Sequence, residues 1–252
     1  MSFHGQDDAG MKGAMLSALL PLLGTGLGFY YLVAGVKKAK AEVEGCSIDR
    51  HTVVSSIMLA VCTLYGFVGA AVILADLGKD PALPANSACA AGLVNGLSSA
   101  ISAIGQGYFS ARAVEAGARQ PRSFVAFVLI LIYIEAFALY GLVVSLVIGG
   151  VAIQDQTDLP TGALVPSTSS FLLATLGGVV GSTASGCAIM EMTVGAPHMA
   201  MRAMLPVVFN GVTGIYGLIN AIVDTQPWPP SGNDWAAGIL YLLSSAGVPG
   251  NL

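Results

Sequence analysis

Six stretches of this chain are apolar and long enough to cross a lipid bilayer, at about 13–36, 52–75, 86–111, 124–152, 168–194 and 203–223. A helix needs ~20 apolar residues to span the ~30 Å hydrocarbon core. No water is present there to satisfy peptide groups, so each span must close its own hydrogen bonds, as an α-helix does. An apolar content of 55% with only 10% charged residues excludes the one or two soluble domains that 252 residues would otherwise allow. The fold class is an all-α membrane protein. A seventh patch, WAAGILYLLSSAG at 235–247, is too short to span and reads as an interfacial or re-entrant helix.

The first residues, MSFHGQDDAGMK, carry two acids ahead of any apolar run, the wrong flank for a secretory signal peptide, so the first span is expected to stay in the mature protein. Cys46, Cys62, Cys89 and Cys187 form no CxxC and fall mostly in or beside spans, which suggests core or lipid-facing thiols and neither a disulfide framework nor a zinc site. Lys37, Lys38, Lys40, Arg50, Arg112, Arg119, Arg122 and Arg202 gather around the connections after spans one, three and five. Asp7, Asp8, Asp76, Asp80, Asp155, Asp158, Asp224 and Asp234 gather on the other side. The positive-inside rule makes the first set cytoplasmic and both termini luminal or exterior.

The chain repeats itself. Gly24 and Gly28, Gly92 and Gly96, and Gly177 and Gly181 mark the odd spans, each pair four residues apart. The even spans share Tyr65-Gly66, Tyr140-Gly141 and Tyr216-Gly217. A helical hairpin is thus written three times in parallel, with boundaries 1–80, 81–155 and 156–225, followed by a luminal tail at 226–252. Small residues at four-residue spacing let helix backbones approach closely, so the six glycines are candidate packing positions and the odd spans suit an inner layer. The even spans, bulky in Leu, Ile, Val and Phe, suit an outer layer facing lipid.

Within VLILIYIEAFALYGLVVSLVI, residues 128–148, stands a single carboxylate, Glu135. A charge at mid-membrane costs several kcal/mol, so this acid stays neutral in lipid and ionises when water or a cation approaches. That is the behaviour of a proton carrier. The alternative is a structural Glu paired with a neighbouring amide.

The segment GQGYFSARAVEAGARQPRSFVAFVLILIYIEAFALYGLVVSLVI resembles the proteolipid, or c-type, subunits of rotary ATPases, most closely the vacuolar branch over roughly 90–150. The resemblance implies three tandem hairpins forming part of a two-layer concentric ring. It implies Glu135 as the proton-binding carboxylate, Gln106 as the amide that helps hold the ion, and Tyr140 as a hydroxyl that hydrogen-bonds the carboxylate. It further implies sister proteolipids, a stationary membrane subunit supplying an Arg, a central stalk docked on Arg119, Gln120, Pro121 and Arg122, and ATP hydrolysis on other subunits of a vacuolar or prokaryotic plasma-membrane complex. The outer hairpins depart from the pattern, with Ala60 and Gly211 at the places matching Glu135. One carboxylate per six helices lowers the ions moved per revolution and favours a pump over a synthase. Sodium is the alternative ion; Ala136 and a lone Thr63 supply few further ligands, which favours the proton, and no other cofactor is implied.

Glu191 matches Gln106 by glycine register, as an accessory polar site or a partner of Arg202; Asn210 is an amide partner or helix-packing glue. The methionines at 190, 192, 199, 201 and 204 read as packing, and His51 and His198 as interfacial residues rather than metal ligands. Two further classes compete with the rotor reading. A channel or proton-coupled transporter would require more polar pore-lining residues than these spans carry. A structural adaptor would tolerate Leu at position 135.

Overall fold

The computed structural model describes residues 3–42, 49–78, 83–149 and 161–224, and all regular structure among them is helical. Six helices follow in order: α1 Phe3–Glu42, α2 Asp49–Leu77, α3 Ala85–Arg119, α4 Phe124–Ile148, α5 Thr161–Gly195 and α6 Leu205–Asp224. Each contains a segment apolar enough to cross a membrane, so the chain is a multi-pass integral membrane protein. At ~1.5 Å per residue, the 40 residues of α1 reach roughly 60 Å, about twice the hydrocarbon core. The odd helices therefore project beyond the bilayer. The 226–252 tail and its 235–247 patch lie outside the described residues.

The helices stand in two rows. α3 packs between α1 and α5; α4 packs between α2 and α6; and each odd helix also lies against the even helix that follows it. α3 is the most enclosed, lined with buried Ser, Ala and Gly from Ser87 to Gly117. Bulky side chains of the even row, such as Ile57, Leu64, Val125, Ile132 and Phe209, face outward. In water such a surface would aggregate; in lipid it matches its solvent.

Backbone contact makes the α1–α3 seam. A side chain on Gly28 would stand 2.6 Å from the Ala103 carbonyl oxygen, and one on Gly24 would stand 2.5 Å from the Ala100 α-carbon. A side chain on Gly96 would stand 2.5 Å from the Leu16 carbonyl oxygen, and Gly92 and Gly107 abut the Gly13 and Gly28 backbones. At the loop end, Lys38 and Arg119 bridge the same two helices, Lys38 to Glu115 at 3.0 Å and Arg119 to Glu42 at 2.7 Å, while Arg119 also pairs within α3 to Glu115 at 3.1 Å. Solvent screens these exposed pairs, so they hold the helices only weakly. The glycine seam sets the spacing.

The third glycine pair is different. Gly177 has nothing within 4 Å of the space a side chain would take, and Gly181 faces the Asn210 amide of α6 rather than another odd helix. The expectation that three glycine pairs serve one role is corrected here: α5 meets α3 through Val179 and Thr183 against Gly105.

Gly28→Leu should force α1 from α3 and cost about 1–3 kcal/mol, seen as a lowered unfolding temperature of the detergent-solubilised chain. Gly26→Leu, whose side chain enters open space, should leave that temperature within a degree or two of wild type.

Candidate functional site

Glu135 stands near the middle of α4, which runs Phe124–Ile148. Ile132, one turn before it, and Leu139, one turn after, are 48% and 42% exposed. Glu135 shares their face and is half-buried. Because α2 and α6 flank α4 in its row, that face looks outward. The carboxyl is therefore at the edge of the fold, reachable from outside, with its inner side against the protein.

Its hydrogen-bond partner comes from the neighbouring hairpin. The Tyr65 hydroxyl of α2 donates to Glu135 Oε1 at 3.0 Å. Behind the carboxyl lies a small polar group. The buried Ser102 hydroxyl donates to the Ile134 carbonyl at 2.6 Å, and the Cys62 thiol reaches the Ser102 hydroxyl at 3.9 Å. Cys62 is near both Glu135 and Gln106. Gln106 is fully buried, and neither of its amide atoms has a hydrogen-bond partner among the described residues. The amide and Glu135 thus both lie near the Cys62 thiol without being bonded to one another.

Tyr140 does not reach the carboxylate. It lies five residues along α4, which turns it away from Glu135, and its ring packs on Phe137 and beside Gly214 of α6. The hydroxyl expected from Tyr140 is supplied by Tyr65. The reason is the Tyr-Gly pair itself: each glycine seats its helix on the odd helix of the same hairpin and leaves the tyrosine pointing sideways. Gly66 rests on Ser17 and Pro21, Gly141 on Val94 and Ser98, Gly217 on Phe171 and Ala174.

Those contacts set the register of the repeat to within one residue: matching Val94 to Phe171 takes Gln106 to Thr183, and matching Ser98 to Ala174 takes it to Ser182, both buried. Glu191 is therefore not the counterpart of Gln106. It is exposed and shares a cavity of about 180 Å³ with Arg112, Glu115 and Arg119 at the loop end, away from Glu135 and on a different helix from Arg202. Asn210 serves packing against Gly181. Thr63 gives its hydroxyl to Thr25 at 2.8 Å, not to the carboxyl pocket. His51 is buried among aromatic rings, 4.8 Å from Phe127, and His198 is exposed. Arg119 is engaged by Glu42 and Glu115, while Arg122 and Pro121 are exposed on a single 3-10 turn after Gln120. Among the described residues no three His, Cys, Asp or Glu side chains come together as a metal site would need.

Residues 89–148 match the family of ATP synthase C subunits. The chain is 36% identical to the V-type proton ATPase c subunit of Candida tropicalis over 129 residues, 49% of this chain and 81% of that one. It is 30% identical to the human V-type proton ATPase 16 kDa proteolipid c subunit over 141 residues, 54% of this chain and 89% of that one. The 16 kDa proteolipid of the Ascaris suum V-type proton ATPase is likewise 30% identical, over 144 residues, 56% of this chain and 88% of that one.

The geometry separates the two tyrosines experimentally. Tyr65→Phe should change the rate at which a carbodiimide modifies Glu135 by about 2- to 10-fold at fixed pH, the range expected for one lost hydrogen bond. Tyr140→Phe should leave that rate unchanged.

Proposed function

Because the chain belongs to the proteolipid c-subunit family of V-type proton ATPases, we propose that it is a rotor subunit that carries one proton on Glu135 through each turn of a membrane ring. The observation that supports this most directly is the position of Glu135: at the middle of a membrane-spanning helix, on its outward face, with Tyr65 as a single hydroxyl partner. A carboxyl so placed can travel through lipid as the neutral acid and exchange its proton where water reaches it. Burial deeper in the fold would deny it access; full exposure would deny it a partner.

The ring is built from sister proteolipids, each contributing an arc of two rows with small residues inside and bulky residues outside. At one place around the ring a stationary membrane subunit offers water-filled access and a cation, by the family's resemblance an Arg, beside which Glu135 ionises. The loops bearing Gln120, Pro121 and Arg122 face the cytoplasm and meet the central stalk, and ATP is hydrolysed elsewhere in the complex.

The ion is the proton rather than sodium. Sodium requires several oxygen ligands in place of its water shell. The Thr63 hydroxyl lies against Thr25 rather than the carboxyl, and the thiol of Cys62, near Glu135, is a poor ligand for a hard cation.

Glu135→Gln keeps the shape and removes the titratable group. It should abolish ATP-driven acidification of membrane vesicles while the ring still assembles; acidification that survives in the assembled variant overturns the reading.

A further inference from the structure

The residue that donates to Glu135 is itself held by a clamp drawn from two other helices. Asn95 of α3 is fully buried. Its side-chain nitrogen donates to the Tyr65 carbonyl at 3.0 Å and to the Ser17 hydroxyl of α1 at 2.8 Å, and the Ser17 hydroxyl donates to the Gly66 carbonyl at 3.0 Å. The chemistry fixes this arrangement. A backbone carbonyl only accepts, so the NH2 end of the amide must face Tyr65; the Ser17 proton is given to Gly66, so Ser17 must accept from Asn95. Both protons of the NH2 group are used.

The backbone around the clamp is cut to fit it. Gly69 presents a bare α-carbon to the Asn95 amide, where any side chain would collide. Pro21 lacks the N–H that would bond the Ser17 carbonyl one turn earlier. That carbonyl is met instead by the Gly66 α-carbon, from which a side chain would stand 2.7 Å away.

The clamp occurs once among the three Tyr-Gly pairs. The step from Val94 to Phe171 takes Asn95 to Leu172, so Tyr140 has an apolar side chain where Tyr65 has an amide. Tyr140 also has no carboxylate to meet, since Gly211 and Gly214 occupy the facing stretch of α6. The polar clamp coincides with the one tyrosine that touches Glu135.

We propose that Asn95 is a positioning residue for the carrier: by holding the Tyr65 backbone against α1 and α3 it sets the hydroxyl of that same residue at hydrogen-bond distance from Glu135. A drift of roughly 0.6 Å would carry the 3.0 Å contact beyond the range in which it counts as a hydrogen bond. Ser17, holding the next carbonyl, acts in the same sense more weakly. This rests on Glu135 being the proton carrier.

The test is the pH profile of carbodiimide labelling at Glu135, measured in membranes holding the assembled complex, for wild type, Asn95→Leu, Tyr65→Phe, the double variant and Ser17→Ala. Leu keeps the branching of Asn without its donors. Tyr65→Phe should move the half-labelling pH by roughly half to one unit. Asn95→Leu should move it in the same direction, and the double variant no further than Tyr65→Phe alone. Ser17→Ala should give a smaller shift of the same sign, also lost in the Tyr65→Phe background, and this cycle decides the matter if Asn95→Leu does not assemble. An unmoved profile in these variants, or shifts that add to that of Tyr65→Phe, overturns the positioning role and leaves the carrier reading intact. Wild-type protein that is not labelled at Glu135 at any pH overturns the carrier reading and this inference with it.

Discussion

Helix association in lipid has no hydrophobic drive, because the tails are as apolar as the side chains; what remains is close packing and the few hydrogen bonds made across helices. The α1–α3 seam meets this constraint with bare α-carbons: Gly24 and Gly28 on one helix, Gly92, Gly96 and Gly107 on the other, each against backbone or a small side chain. The candidate site is built on that seam. It brings Ser17 and Asn95 within 2.8 Å of one another, and only then can a third helix be gripped at Tyr65. A seam widened by even one methyl group would open the clamp before it touched the carboxyl.

The even helices use glycine for a different purpose. Gly66, Gly141 and Gly217 each press an outer helix onto the inner helix of its own hairpin, so the adjoining tyrosine is thrown toward the next hairpin along the row. One dipeptide thereby encodes both the radial contact within a hairpin and the lateral contact between hairpins. Tyr65 reaches Glu135 for this reason. Tyr140 looks toward α6, and Tyr216 is 56% exposed on α6, the last of the described helices.

Much of this was legible in the sequence, and the misreadings have physical causes. The six spans and the mid-membrane acid are one-dimensional signals, carried by hydropathy alone, and the helices fall where those signals place them. The partner of the acid is a lateral contact, set by which way a tyrosine points after its helix has docked, and the family resemblance, carried along the sequence, implied Tyr140 instead. The tandem Tyr-Gly pairs held the correction, since a hydroxyl passed from each hairpin to the next puts Tyr65, not Tyr140, at the second carboxylate position. Glycine register misled for Glu191 because glycines serve two unlike seams: those of α1 and α3 meet each other, whereas Gly181 meets Asn210 and Gly177 meets nothing within 4 Å. Asn95 carried no sequence signal of its own, being one amide in a helix rich in small polar residues.

The absence of a carboxylate at Gly211 in the third hairpin is matched by the packing around it. Gly211, at the place matching Glu135, leaves room for the ring of Tyr133, which would stand 3.2 Å from a side chain there. Phe137 lies over both Gly178 and Gly214, and Tyr140 packs on Phe137. The space where a second carrier site would sit between α4 and α6 is thus filled by aromatic rings from α4. Restoring an acid at 211 would require those rings to move, at a cost typical of overpacking a close-packed core. Ala60 in the first hairpin is exposed on the outer face of α2, so that position lacks a carboxyl without being closed. The two hairpins without an acid at this place differ accordingly: one leaves the position open, while the other fills the room an acid would need with aromatic rings. With one carboxyl for six helices, each turn of the proposed rotor moves fewer ions per hairpin, and the same rotational work can drive each of them up a steeper gradient, at about 2.3 kcal/mol per charge for every 100 mV.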